Sequence, residues 1–90
     1  MKRLEVIHLR TPGGVGAELA RQVAESLAVP GGCCDVVRFY RRVGLDSDVA
    51  IHIHIVEDDS GPGPSTLGLH LASALRAYGL VEHSVWEERP

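Results

Sequence analysis

Val49-Ala50-Ile51-His52-Ile53-His54-Ile55-Val56-Glu57 alternates apolar and polar residues without a fault from Ile51 to Ile55. In an extended chain successive side chains point to opposite sides, so Ile51, Ile53 and Ile55 share one face and His52 and His54 the other. The stretch therefore reads as a strand with one face packed and the other open, and its neighbours in sequence have to supply the packing.

Upstream, Gly44-Leu45-Asp46-Ser47-Asp48 is a polar link back to a second strand, Cys34 to Arg41, rich in Val36, Val37, Phe39 and Tyr40. Pro30-Gly31-Gly32 breaks the chain before that strand. From Val15 to Leu27, Val15, Leu19, Ala20, Val23, Ala24 and Leu27 keep helical spacing while Glu18, Arg21, Gln22 and Glu25 fill the other side, which predicts an amphipathic helix. Leu4 to Arg10 is a branched, apolar-rich strand halted by Thr11-Pro12-Gly13-Gly14. Downstream, the Asp58 to Pro64 loop leads to Ser65 or Thr66, either of which can cap a helix running from near Leu67 to about Tyr78. Gly79 is expected to end that helix in a left-handed conformation, and Leu80 to Glu88, with Val81, Val85 and Trp86, forms a last strand.

Strand, helix, strand, strand, helix, strand is satisfied by an α+β, ferredoxin-like βαββαβ sandwich with both helices on one side of a four-stranded antiparallel sheet. Parity along the strands places Ile7, Leu9, Val37, Phe39, Ile51, Ile53, Ile55, Val81 and Val85 under the helices. The opposite face then holds Val6, His8, Arg10, Val36, Arg38, Tyr40, His52, His54, Glu82, Ser84 and Trp86. With the first and third strands adjacent, His8 and Arg10 are expected beside His52 and His54, flanked by Arg38 and Tyr40. His, Arg, Tyr, Ser and Glu are ordinary residues for a sheet face that simply meets water, but Val6, Val36, Tyr40 and Trp86 are poor choices for such a face, which favours a second copy stacked on it around a small-molecule ligand.

Ninety residues, 44% of them hydrophobic, describe a single domain spanning 1–90. A core this small makes self-association a natural supplement. A formal charge of -3 gives no surplus for binding a phosphate backbone, so nucleic acid is not an expected partner. Glu5, His8 and Arg10 interrupt any apolar run near the first residue, so the chain reads as cytoplasmic with no membrane partner. Cys33 and Cys34 are adjacent and read as reduced thiols rather than a disulfide or a zinc clip.

His52-Ile53-His54 has a spacing at which two imidazoles can hold one metal, with His8 as a third nitrogen, but no carboxylate is evident beside them and uncoordinated histidines are the preferred reading. Leu67, His70, Leu71, Ala74, Leu75 and Tyr78 trace a helical stripe that puts His70 at the border of the core. Thr11 to Gly16 offers glycines at a helix start, yet Leu19 stands where a dinucleotide fingerprint needs its third glycine.

Pro12-Gly13 after the first strand, Pro30-Gly31-Gly32-Cys33 before the second, Val56-Glu57 at the end of the third and His70-Leu71-Ala72-Ser73 in the second helix resemble the antibiotic biosynthesis monooxygenase-like group. The resemblance implies a dimeric α+β barrel, a homodimer whose two sheets pack face to face. It also implies oxidation of electron-rich polycyclic substrates by molecular oxygen with no metal or flavin cofactor. A haem-degrading branch of the group ligates iron through a histidine of the second helix, a role for which His70 is the one match. The chain departs from the group's pattern in having no Asn.

Residues and resemblance together predict a cofactor-independent monooxygenase-like protein for a small aromatic or phenolic substrate. His52, His54 and Arg38 are its expected catalytic residues, and His8, Arg10, Tyr40, Trp86 and His70 its expected substrate contacts. Two alternatives stand beside it: a non-enzymatic ligand-sensing module resembling the ACT domains, binding at Pro12-Gly13-Gly14-Val15, and a haem-binding protein using His70.

Overall fold

The computed structural model describes residues 3–12, 15–27, 36–45, 47–55 and 63–89. The elements are β1 (Arg3–Arg10), α1 (Val15–Leu27), β2 (Val36–Arg41), β3 (Asp48–Ile55), α2 (Thr66–Leu75) and β4 (Leu80–Glu87). The sheet order is β2-β3-β1-β4 with every neighbouring pair antiparallel, as a ferredoxin-like α+β fold requires. Gly13 and Gly14 of the first turn, Pro30 to Cys34, Val56-Glu57 and most of the Asp58 to Pro64 loop lie outside the described residues. The expectations resting on them, including the thiol pair and the ACT-like turn, lie there too.

The buried face follows the parity of β3. Ile51 pairs with Ile7 and Val49 with Leu9, and Ala17, Ala20, Ala24, Leu71 and Leu75 of the helices close over them. A fully buried Leu or Ile contributes roughly 1.5–3 kcal/mol. A one-residue slip of β3 would trade Ile51, Ile53 and Ile55 for His52 and His54, and that difference fixes the register.

Both helices depart from their expected stripes. In α1 the buried arc is Ala17, Ala20 and Ala24, whose small side chains let the helix approach closely, so Leu19 and Leu27 fall outside it and are exposed. In α2 the buried residues are Gly68, Leu71, Ala72 and Leu75, which turns His70 outward; it is exposed and does not border the core. The helix ends at Leu75, short of Tyr78, whose amide closes a tighter turn by donating to the Leu75 carbonyl at 2.9 Å.

Two glycines have separate reasons. Among the described residues only Gly44, in the β2–β3 turn, has a positive φ, at 82°. Gly79 is therefore not the left-handed cap expected of it. A Cβ there would lie 2.2 Å from the backbone oxygen of Arg10, so the constraint is close approach of two backbones where β4 joins β1.

Candidate functional site

The open side of the sheet is a grid of side chains whose rows the registers fix. One row runs Val36, His54, Leu4, Trp86; the next Arg38, His52, Val6, Ser84; the third Tyr40, Ala50, His8, Glu82. A fourth contains Asp48, Arg10 and Leu80. Strands lie about 4.8 Å apart, and successive rows are separated by two residues, or roughly 7 Å. All the strand residues expected on this face are on it. His8 and His52 are diagonal neighbours, but His54 is two rows from His8 and three from Arg10, so the expected adjacency holds only for the first pair.

The middle of the grid joins three rings. Tyr40 and His52 have centroids 4.5 Å apart at 48°, and His52 and His54 are 6.4 Å apart. Partial burial, and secondarily the charge of His54, pushes the His52 pKa below the ordinary imidazole value, which keeps that ring neutral at pH 7. Arg38 is exposed at the register position opposite His52. Trp86 is 60% exposed, its indole N–H donating to the Ser84 hydroxyl at 2.9 Å. Val36, Tyr40 and Leu80 are also exposed, leaving an apolar surface around the imidazoles.

Asp48 is a member of this face that the sequence reading left out. Its carboxylate is buried and takes hydrogen bonds from His8 Nε2 at 3.1 Å, Arg42 Nη1 at 3.3 Å and Ser47 Oγ at 3.1 Å. Burial works to raise its pKa, but the hydrogen bonds from His8, Arg42 and Ser47 outweigh it and hold the carboxyl below the usual range. Beside it opens a hollow of about 380 Å³ lined by Val6, His8, Tyr40, Arg42, Asp48 and Ala50, among others. The Ser47 carbonyl accepts from both the amide and hydroxyl of Thr11, at 2.8 and 2.9 Å, tying the end of β1 to the start of β3.

A second polar group was also missed, on the helix side of the sheet. Glu5 is fully buried; its Oε1 accepts from the Ser65 amide at 3.1 Å and the Ser65 hydroxyl at 2.6 Å, and its Oε2 lies 2.5 Å from His83 Nε2. Ser65 Oγ in turn accepts from the Gly68 amide at 2.9 Å, capping α2. A carboxylate at this helix terminus also complements the helix dipole. Parity with Ile7 and Leu9 for Glu5, and with Val81 and Val85 for His83, was the available signal.

A further concavity, of about 430 Å³, lies between α1 and β2–β3 and is lined by Ala17, Phe39, Val49, Arg21, Arg41 and neighbours. The guanidinium of Arg21 is already matched there by Glu18 and Glu25. His70 belongs to neither hollow's lining. Among the described residues no three His, Cys, Asp or Glu side chains are arranged to hold a metal ion, and no helix is long and apolar enough to cross a membrane.

Fold and site together define a ferredoxin-like α+β sandwich with an uncovered, histidine-bearing sheet face. A solved structure with this fold is SnoaB, a cofactor-independent oxygenase from Streptomyces nogalater: TM-score 0.65, 18% identity, 99% of this chain and 94% of that one covered. A mutant of the same enzyme matches with a TM-score of 0.57 and 19% identity over 99% and 94% of the two chains. No protein-family profile and no curated protein matches the sequence.

Proposed function

We propose that this protein is a cofactor-independent monooxygenase-like enzyme for a small phenolic or aromatic substrate, working as a homodimer whose open sheet faces enclose the site. The observation that carries the reading is the grid itself: a neutral, partly buried His52 in tilted ring contact with Tyr40 and opposite Arg38, within an apolar surface that includes Val36, Leu80 and Trp86. Its fold is shared with a cofactor-independent oxygenase, which supports the reaction class. An electron-rich phenol with an acidic ring CH₂ loses a proton to His52, assisted by His54, and Arg38 stabilises the anion. The anion gives two electrons to O₂ and forms a C–O bond, leaving a hydroperoxide on carbon. Loss of the remaining C–H proton with O–O cleavage gives the ketone and water, so CH₂ plus O₂ becomes C=O plus H₂O. His8, Arg10, Tyr40 and Trp86 contact the ring system, and no resident cofactor takes part.

The test is oxygen uptake with an anthrone-type tricyclic phenol. His52→Ala and His54→Ala are expected to lower turnover, the first by about 100-fold, the usual scale of a lost general base, while the chain still sediments as a dimer. Wild-type turnover in both variants refutes the assignment, and a monomeric native chain refutes the enclosed chamber.

A further inference from the structure

The reaction just proposed moves two protons, and His52 accounts for the first alone. The second must reach the oxygen that departs as water. On the open face, His8 is the imidazole held by a hydrogen bond: among the described residues His52 and His54 make ring contacts but no such bond. The Asp48 carboxylate is 5% exposed, ionised and accepts only, so His8 Nε2 carries the hydrogen between them. That fixes the tautomer and the plane of the ring. Its other nitrogen, Nδ1, points to the β4 side, 3.9 Å from the exposed Glu82 carboxylate and beside a small recess formed with Arg10 and Leu80.

Resting on the oxygenase reading, we infer that Asp48 and His8 form the second proton-transfer element of the site, Asp48 positioning the ring and His8 delivering a proton to the departing oxygen. The placement fits. His8 and His52 are diagonal across β1 and β3, on the order of 7–8 Å apart, a span in which a single ring CH₂ lying between them presents one hydrogen to each. A carboxylate behind an imidazole both fixes its orientation and stabilises the imidazolium that donates. Nδ1, bare in this tautomer, first takes the remaining C–H proton as the ketone forms and then passes it to the departing oxygen, so no external acid or reductant is needed. Arg42 and Ser47, bonded to the same carboxylate, hold Asp48 in place when the ring is neutral.

The test separates oxygen uptake from product formation. In His8→Gln and Asp48→Asn, rapid mixing with the anthrone-type phenol is expected to give a burst of about one O₂ per protomer, then ketone release slowed at least tenfold, the scale of a lost proton carrier, with KM falling alongside kcat because the slowed step follows uptake. Asp48→Glu should recover part of the rate, and His52→Ala should slow uptake and release together. Nitrogen-15 spectra of His8 should report an Nε2–H tautomer in the native chain and a mixture in Asp48→Asn. Uptake and release that stay coupled at the native rate in both variants, or an unchanged His8 tautomer in Asp48→Asn, overturn this assignment and leave the oxygenase reading standing. No uptake by the native chain overturns the oxygenase reading, and the assignment with it.

Discussion

Replacing Gly68 by Ala sets a favourable local effect against an unfavourable packing effect, and the structure decides which wins. Ala is better than Gly inside a helix by about 1 kcal/mol. The added Cβ, however, would lie 1.6 Å from Glu5 Oε2 and 2.8 Å from Oε1. A carboxylate at the end of a flexible side chain can usually retreat, but Glu5 is fully buried and held by Ser65 and His83. Hydrogen bonds to a charged group are worth about 1.5–3 kcal/mol each. Losing two of the three, less the helical gain, leaves a net destabilisation of roughly 2–5 kcal/mol. A domain of this size is stable by roughly 5–13 kcal/mol, so a loss near the lower figure leaves the variant folded and one near the upper figure takes most of the stability of a chain at the low end. In urea denaturation followed by circular dichroism, with a slope near 1 kcal/mol per molar, the midpoint should fall by about 2 M or more. Gly16→Ala in α1, where a Cβ meets nothing within 4 Å, should leave the midpoint unchanged or raise it. In a Glu5→Ala background the clash is gone, and Gly68→Ala should become neutral or stabilising. Equal costs in both backgrounds, or no cost in the native one, would refute the reasoning.

Asp48 predicts a pH dependence. Its folded-state pKa lies below the ordinary 3.8, so its stabilisation is present above that value and is lost as pH falls through the folded-state pKa. The stability advantage of the native chain over Asp48→Asn should be largest at about pH 5–7 and shrink below about pH 4; a gap undiminished at about pH 2 contradicts this. His52 should titrate below 6.5 in proton NMR, and His54→Ala should move its midpoint only part of the way back, because burial is the larger cause. A native midpoint at or above 6.5 would remove the neutral base.

The sheet was legible because Ile51 to Ile55 set a parity that Ile7, Leu9, Val37 and Phe39 could be matched to, and the exposed and covered faces followed. Patterns of apolar residues miss polar groups that satisfy one another. Glu5 and His83 occupy helix-facing positions because Ser65 and the Gly68 gap give the carboxylate partners and room, a three-element coincidence no local window contains. Asp48 is hidden for a smaller reason: in sequence it continues the polar link Gly44 to Ser47, whereas in the fold it is the first residue of β3. His70 was misplaced because Leu67, Leu71, Ala74 and Leu75 fit a stripe that includes it equally well, until the small Gly68 and Ala72 set the face that packs. The glycine at 79 was noticed, but its cause is a neighbouring backbone seventy residues away in sequence, roughly.

The position of β1 between β3 and β4 shapes how the molecule is made. Both of its hydrogen-bonding neighbours belong to the later half of the polypeptide, so during synthesis the first segment emerges with two unsatisfied borders and nothing local to pair with. Only the β2–β3 hairpin can assemble early. Ile7 and Leu9 therefore wait for Ile51 and Val49 of β3 before they have strand partners, and the other border of β1 stays open until β4 follows, so late closure is a property of topology rather than of any one residue.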